Sequence, residues 1–390
     1  MKKTILSFGL ISCLFFTGNA QWLTITSGIT AKLDAIHFID SQNGYCSGGF
    51  TNTLETTDGG NNWKKGSSQG FRDFGFYNNT YGYGASIGVI SMAKTTNGGL
   101  SWTSITPPTS NSLWAVSATS STTAYFVGTG GVLWKTINGG STVTIGNSGT
   151  TDLLTDIVFT NTTTGFLVVQ TGEIKKTTNS GTSWSTVHTV TSNLLTEMFF
   201  VDNNVGYVIG GGGTVVKTTD GGQNWTTLTT NSTSYLQGIN FFNANNGIVV
   251  GTAGTILYTN DGGTTWSSQN SGTTEDLFDV SMLSTTSAIV TGDNGTILKN
   301  NNIIFGIENK ILSIDIMLYP NPVADKLTLE LPQTSKQSTI TIYNINGAEL
   351  IKQQAITNKT QIDISTLPSG IYFVKLITDK TVEVRKIIKE

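Results

Sequence analysis

The chain is poor in the residues that build most catalytic and metal-binding sites. Its 390 residues include only two histidines, His37 and His188, and only two arginines, Arg72 and Arg385. The histidines fall in different parts of the chain, and the pattern places no serine or cysteine partner near either one. The sequence therefore indicates no catalytic triad and no histidine-based metal cluster.

Cysteine is scarce as well. Cys13 lies in an N-terminal apolar segment, and Cys46 is the only cysteine after it. With one cysteine left, the rest of the chain forms no internal disulfide, and its stability must come from burial of apolar surface. Cys46 stands in GYCSGG, where a similar segment at 206–211 reads GYVIGG. This comparison predicts a small buried residue rather than a nucleophile.

Charged residues make up 12% of the chain. Residues 21–303 contain 10 lysines and arginines against 16 aspartates and glutamates, whereas residues 304–390 contain 10 and 9. Nucleic-acid binding needs clustered cations that displace counterions from phosphates. The acidic first region has no such cluster, so the sequence argues against nucleic acid as a partner.

Long apolar runs are also missing, except at the start of the chain. Residues 1–20 begin with two lysines, continue with an apolar run from Ile5 to Phe16 and end in the small-residue triplet GNA. This is the pattern of a secretory signal peptide, and it is too short for a stop-transfer helix. We therefore expect an exported mature chain that contains no membrane-spanning helix.

What the chain has in abundance is repetition. One phrase recurs as TTDGGNNW (56–63), TTNGGLSW (95–102), TINGGSTV (136–143), TTNSGTSW (177–184), TTDGGQNW (218–225) and TNDGGTTW (259–266), with a reduced copy, NNN, at 300–302. The step between copies is 39 residues once and 41 residues five times. A fixed period of about 40–45 residues with short strands is typical of propeller blades.

Each repeat contains four short β-prone runs between turn residues, which predicts one four-stranded antiparallel sheet per unit. The seven units align on a marker residue at the start of the first run: Leu33, Phe71, Leu113, Leu154, Leu195, Leu236 and Leu277. The seventh unit has no tryptophan after its turn, while Trp22 begins a strand without a sheet of its own. We predict an all-β fold in which residues 21–303 form a seven-bladed β-propeller closed by the N-terminal strand.

The turn phrase resembles the Asp-box of BNR-type propellers, known from sialidases, sortilin-like receptors and photosystem II assembly factors, and this resemblance implies a propeller fold. The turn position alternates between acid and amide: Asp58, Asn97, Asn138, Asn179, Asp220 and Asp261. Both side chains accept backbone N–H bonds, but acid–base or metal chemistry needs the carboxylate. We therefore predict structural turns. Lysines precede the phrase around the ring and predict a solvated rim: Lys94, Lys135, Lys176, Lys217 and Lys299.

The period ends near residue 316, and the tail alternates apolar and polar residues between proline and glycine turns. This pattern predicts a small Ig-like β-sandwich over 316–390, joined by a linker at 304–315. The segments YPNP (319–322), NING (344–347) and LPSGIY (367–372) and the basic end resemble the type A sorting domain of the type IX secretion system of Bacteroidetes. The resemblance implies the secretion machinery as a partner and a location at the outer cell surface or in the medium.

A closed ring brings the residues that follow the marker positions to one end of the central channel. The ligand-binding candidates there are Asp34, Arg72, Asp73, Trp114, Asp156, Glu197, Gln237 and Asp279. The carboxylates leave two interpretations open, because they can bind a ligand or cap the start of the inner strands. An acidic mouth attracts cations or neutral hydroxyl-rich molecules. A glycan and Ca²⁺ are the first candidates, and no other cofactor is expected.

Three functions compete. The first is a monomeric, non-catalytic propeller that binds or scaffolds a glycan or protein ligand. The second is a glycoside hydrolase, which needs only a pair of carboxylates. The third follows from the repeat spelling, which resembles the photosystem II assembly-factor propellers most. A sialidase is excluded, because sialidases bind the substrate carboxylate with three arginines and this chain has only two. We predict binding without catalysis.

Overall fold

The computed structural model of the protein describes residues 22–48, 53–87, 91–190, 193–303, 317–330, 338–345, 348–355, 359–377 and 382–390. The chain divides into two compact units, Met1–Phe305 and Gly306–Glu390. The predicted signal peptide and linker lie outside the described residues. No helix within the described ranges is long and apolar enough to cross a membrane.

The first unit consists of repeated four-stranded antiparallel sheets, numbered one to seven from here on. Sheet one contains β2–β5 (Ala35–Phe38, Gly44–Ser47, Leu54–Thr56, Lys64–Lys65), sheet two β6–β9 (Asp73–Phe76, Gly82–Ala85, Met92–Thr95, Thr103–Ile105) and sheet three β10–β13 (Leu113–Ala118, Ala124–Gly128, Leu133–Thr136, Thr144–Ile145). Sheet four contains β14–β17 (Leu154–Phe159, Gly165–Val169, Glu173–Thr177, Ser185–Thr189) and sheet five β18–β21 (Leu195–Phe200, Gly206–Gly210, Val215–Thr218, Thr226–Leu228). Sheet six contains β22–β25 (Leu236–Phe241, Gly247–Gly251, Thr255–Thr259, Ser267–Gln269), and sheet seven contains β26–β28 (Leu277–Ser284, Ser287–Gly292, Ile297–Asn300) together with β1 (Leu23–Ile25). Short 3₁₀ turns cover Thr129–Gly131, Gly211–Gly213 and Asp293–Gly295.

Burial follows strand position in each sheet. The second strands, such as β15 and β19, are buried along their whole length, because neighbouring sheets pack on both of their faces. Such strands read as continuous apolar runs rather than as alternating ones. The fourth strands are mostly exposed, as in β13 and β17. Cys46, on the second strand of sheet one, is buried as predicted.

The turn phrase is held by its own side chains. The carboxylate of Asp58 accepts the backbone N–H groups of Asn61 at 3.0 Å and Asn62 at 2.9 Å, and the Thr56 hydroxyl accepts that of Gly60 at 2.9 Å. The asparagine copies make the equivalent bond to the residue four positions on, namely Asn97 to Ser101, Asn138 to Thr142 and Asn179 to Ser183. The aspartate and asparagine side chains accept the same backbone hydrogen bond here, as expected for a structural turn.

Four of the lysines before the phrase are half-buried or buried and hydrogen-bonded, so they do not form the freely solvated rim that the sequence predicts. Each ammonium group donates to a main-chain carbonyl in the turn phrase of the next sheet, at 2.7–2.9 Å: Lys135 to Ser180, Lys176 to Gly221, Lys217 to Gly262 and Lys299 to Gly59. Three of them also lie over an aromatic ring, Tyr125, Phe166 or Tyr207. A lysine stem covers apolar surface while its head reaches a polar partner, and here that partner belongs to the neighbouring sheet.

The N-terminal strand joins the last sheet. β1 pairs antiparallel with β28, with Leu23 opposite Lys299 and Ile25 opposite Ile297. The Trp22 indole N–H donates to the side-chain oxygen of Gln269 at 2.8 Å, and the ring is buried in the cluster that contains Leu277. The first strands of successive sheets contact one another, and β26 of sheet seven contacts β2 of sheet one.

The second unit has two sheets that share one core. A three-stranded sheet contains β29 (Met317–Tyr319), β30 (Lys326–Glu330) and β33 (Lys359–Asp363). A four-stranded sheet contains β32 (Glu349–Ala355), β31 (Ser338–Asn344), β34 (Gly370–Ile377) and β35 (Val382–Lys389). Leu327 and Ile362 from the first sheet pack in one cluster with Ile342 and Val374 from the second. Alternate residues of β34 enter this core, as the sequence pattern predicts.

Trp22→Ala should destabilise the first unit by about 3–5 kcal/mol, because it removes a buried ring and its indole hydrogen bond. Leu23→Ala is the matched control, since Leu23 is on the same strand but 63% exposed, against 3% for Trp22. The control should change the free energy of unfolding by no more than about 0.5 kcal/mol. Urea unfolding of both variants measures this, and equal costs would show that the N-terminal strand does not support the fold.

Candidate functional site

The seven marker residues anchor the first strands. Leu33, Phe71, Leu113, Leu154, Leu195, Leu236 and Leu277 are all completely buried. The residue after each marker lines one shared cavity: Asp34, Arg72, Trp114, Thr155, Thr196, Gln237 and Phe278. The cavity therefore receives a side chain from every sheet of the first unit. Its wall differs in chemistry from sheet to sheet, although the anchors behind it are alike.

A β-bulge lets a second residue of most sheets reach the same cavity. The pairing of first and second strands shifts by one residue between Leu113 and Ala115, and again between Leu154 and Asp156. Sheets five, six and seven show the same shift. A bulge inserts one residue and re-aims the side chains around it. Consecutive residues, such as Thr155 with Asp156, accordingly both line the cavity.

The cavity has a volume of about 290 Å³ and brings together all eight residues selected from the sequence. They do not share one register, however. Asp34, Arg72, Trp114 and Gln237 follow the marker directly, whereas Asp73, Asp156, Glu197 and Asp279 come one position later. Other lining residues were not predicted from the sequence: Lys32, Thr155, Gln170, Thr196, Tyr235 and Phe278. Thr155, Thr196 and Phe278 occupy the repeat position of Asp34, and that signal could have found them.

Three of the carboxylates bridge neighbouring sheets. Each accepts the N–H of the following residue and an N–H from the next sheet, at 2.7–2.8 Å: Asp73 from Phe74 and Val116, Asp156 from Ile157 and Met198, and Asp279 from Val280 and Ile36. Glu197 likewise accepts the N–H of Ile239. The strand-capping interpretation therefore describes these carboxylates, because their oxygens already hold backbone donors.

Every junction between sheets carries a bond of this kind. Where no acid is available, a hydroxyl or amide oxygen accepts the N–H of the next sheet: Ser47 from Phe71, Ser117 from Phe159 and Asn240 from Met282. The hydroxyls of Thr155 and Thr196 also bond to the next sheet, but as donors, to the main-chain carbonyls of Leu195 and Leu236. The polar side chains at the base of the cavity wall are thus largely committed to holding the sheets together.

The charged residues of the mouth are paired with one another. Asp34 lies 2.9 Å from the Lys32 ammonium and 3.5 Å from the Arg72 guanidinium. The guanidinium stacks 3.6 Å from the centre of the Trp114 ring, and Lys32 lies 3.8 Å above the Phe278 ring. One face of Trp114 is therefore covered by a cation, and the mouth is not the open acidic surface that the sequence suggests.

The buried acids are less negative than their number implies. Burial raises the pKa of Asp73 to about 6, that of Asp279 to about 7 and that of Asp156 to about 8, against the backbone donors that favour ionisation. Burial and the neighbouring carboxylates raise the pKa of Glu197 well above its usual value. Carboxylates gathered in a desolvated space take up protons in this way. Part of the cavity wall is consequently neutral near pH 7.

The described part of the chain offers no ready site for a metal ion. Among the residues that the structure describes, no group of three or more histidine, cysteine, aspartate or glutamate side chains is arranged to hold one. Ca²⁺ requires six to eight oxygen ligands. Three of the acids have both oxygens engaged by backbone N–H groups, so the donor set does not fit this cation.

Comparison with protein families matches both parts of the chain. Residues 317–390 match the family described as secretion system C-terminal sorting domain. Segments 144–232, 176–267 and 223–310 match the family described as photosynthesis system II assembly factor YCF48. The chain thus carries YCF48-type propeller repeats followed by a C-terminal sorting domain.

Solved structures show the same fold. The chain is similar to YCF48 bound to D1 peptide, with 22% identity, a TM-score of 0.60, and coverage of 72% of this chain and 94% of that one. It is also similar to the GH74 enzyme of Niastella koreensis, with 16% identity, a TM-score of 0.60, and coverage of 93% and 74%. At these identities the likeness shows the propeller fold and no more.

One curated protein, an endo-acting ulvan lyase of Formosa agariphila, is 34% identical over 74 residues. The match covers 19% of this chain and 14% of the lyase. A likeness over so small a share of the lyase says nothing about its activity in this chain.

The stability of the protein should fall as pH rises above 6.5. Asp156 and Asp279 have folded-state pKa values of about 8 and 7, above their unfolded values, so the native state holds more protons than the unfolded chain across this range. Their stabilising contribution is complete at low pH and is lost as pH rises through 7 and 8. His37, whose pKa burial lowers to about 4, acts in the opposite sense, mostly below pH 6.5.

The free energy of unfolding, measured in urea, should drop by about 2 kcal/mol between pH 6.5 and 8.5. Asp156→Asn removes one titrating group while keeping an acceptor oxygen, so its profile should be flatter. A wild-type profile that is level or rising over this range would show that these acids are ionised throughout.

Proposed function

We propose that residues 21–303 form a seven-bladed β-propeller closed by its N-terminal strand. A signal peptide (1–20) precedes it, and a linker (304–315) and an Ig-like sorting domain (316–390) follow it. One strand pairing and two contacts between sheets seven and one support closure. β1 completes sheet seven, the Asp279 carboxylate holds the N–H of Ile36, and the Lys299 ammonium holds the carbonyl of Gly59.

The protein acts as an exported binding or scaffolding propeller, and it does not catalyse a reaction. The sorting domain indicates export to the cell surface or the medium and interaction with the secretion machinery. The signal peptide supplies the first step across the inner membrane. The propeller is the part delivered, and the cavity at its mouth is its ligand site.

One observation carries the non-catalytic assignment. Hydrolysis of a glycosidic bond needs two carboxyl groups free to exchange a proton and to face the sugar. Asp73, Asp156 and Asp279 instead each accept two backbone N–H groups, one of them from the next sheet. Moving such a carboxylate toward a substrate would leave buried N–H groups without an acceptor. These acids serve the fold.

Glycoside hydrolysis is the second candidate, because two acids in different environments, Glu197 and Asp34, line one cavity. Glu197 has a raised pKa, which is the condition for a general acid at neutral pH. Asp34 forms ion pairs with Lys32 and Arg72.

The third candidate is a role like that of the assembly factors. The YCF48 structure contains a D1 peptide. A peptide is therefore the alternative ligand class for this propeller.

The two leading functions separate in one experiment. The mature protein is incubated with a panel of soluble polysaccharides, and both binding and the release of new reducing ends are measured. We expect binding without release. Reducing ends that appear with the wild type, persist in Glu173→Gln and vanish in Glu197→Gln would establish a hydrolase instead. Glu173 is a suitable control because it lies outside the cavity and is 40% exposed.

A further inference from the structure

The cavity wall has a charged half and a neutral half. Sheets seven, one, two and three contribute Phe278, Lys32, Asp34, Arg72 and Trp114, whose charges and rings pair with one another. A charged ligand would have to separate Arg72 or Lys32 from Asp34. The energy of the broken ion pair would offset most of the binding energy gained from the new one. This half of the mouth therefore offers little to an ion.

The neutral half keeps unused hydrogen-bonding groups. Sheets four to six contribute Thr155, Thr196, Gln170, Tyr235 and Gln237. Asp156 and Glu197 also belong to this half, but their carboxyl groups accept backbone N–H groups of the next sheet. The two threonine hydroxyls donate to carbonyls of the next sheet. Within the described residues, the side chains of Gln170, Gln237 and Tyr235 make no hydrogen bond, although the Tyr235 phenol interacts electrostatically with the Arg72 guanidinium.

Those free groups define the chemistry of a ligand. A glutamine amide offers two donors and one acceptor, and a phenol offers one donor and an acceptor. A ligand that matches them must be neutral and must present donors and acceptors side by side. Sugar hydroxyl groups, each a donor and an acceptor on one atom, have this property.

The shape of the cavity selects the end of a chain. In the closed ring proposed above, the first strands surround the cavity, so the tip of a polymer can enter it more readily than an internal segment can. A volume of about 290 Å³ is just below the range for small-molecule sites, about 300–1,000 Å³. The ends of a peptide are charged near pH 7, with an ammonium or a carboxylate group, whereas the end of a plain glycan is neutral.

We infer that the propeller mouth binds the terminal unit of a neutral glycan chain, through the side chains of Gln170, Gln237 and Tyr235. The inference rests on the proposed function, since it names the ligand class of that same site. It replaces the cation preference of an acidic mouth, because the acids are committed to the sheets and to Arg72 and Lys32.

The test is calorimetric titration of the mature protein with neutral di- to hexasaccharides of glucose, xylose, mannose and N-acetylglucosamine. One of these series should bind. Gln237→Ala and Tyr235→Phe should each weaken binding about tenfold, the effect of one lost hydrogen-bonding group. Gln223→Ala is the matched control, because Gln223 is an exposed glutamine on a turn phrase, and it should leave affinity unchanged. Affinity should also change little from disaccharide to hexasaccharide, because only the end unit is held.

Parallel arms with polygalacturonate and with a random octapeptide mixture separate this inference from the proposed function. Binding of either probe alone, weakened by Gln237→Ala, would overturn the glycan inference and leave the cavity as the ligand site. Affinity that rises steadily with oligosaccharide length would overturn the chain-end geometry. Sugar binding that both cavity variants leave intact would place the site elsewhere. A wild type that binds none of the probes would contradict the inference and the proposed function together.

Discussion

The structure of the first unit depends on one contact, repeated at every junction between sheets. The first strand of each sheet is an edge strand, so its outward N–H groups need acceptors. A polar side chain from the preceding sheet supplies one at each junction, from Ser47 through Asp156 to Asp279. At four junctions, a lysine ammonium group also donates a hydrogen bond to a main-chain carbonyl in the turn phrase of the next sheet. Apolar packing fills the space between these two sets of polar contacts.

This contact also decides what the cavity can do. Acids that hold backbone N–H groups are poor proton carriers and poor metal ligands, and their burial makes them partly neutral. The chemistry left for a ligand comes from residues that the fold does not use. Because those residues differ from sheet to sheet, a mouth built from seven similar repeats has one self-paired charged side and one neutral amide and hydroxyl side.

The repeat period and the turn phrase predicted the sheets, the pairing of the N-terminal strand and the convergence of side chains from different sheets. These features follow from spacing alone, because equivalent residues of repeated units meet at one place. The repeat spacing gives no indication of the β-bulge, so residues of two registers were predicted to share one register. The pairing of Arg72 with Trp114 and Asp34 was also missed, since it depends on rotamers across three sheets. Gln170 and Tyr235 reach the cavity from outside the marker register, where no periodic signal points to them.

Amide hydrogen exchange at the junctions tests this account most directly. The N–H groups of Ile36, Val116 and Met198 each have a carboxylate of the preceding sheet as their acceptor. In the wild-type protein all three should exchange slowly, and Asp156→Ala should accelerate exchange at Met198 while Val116 and Ile36 stay protected. Rapid exchange of these amides in the wild type, or an unchanged rate at Met198 in the variant, would show that the acids do not hold the sheets and are free for a ligand.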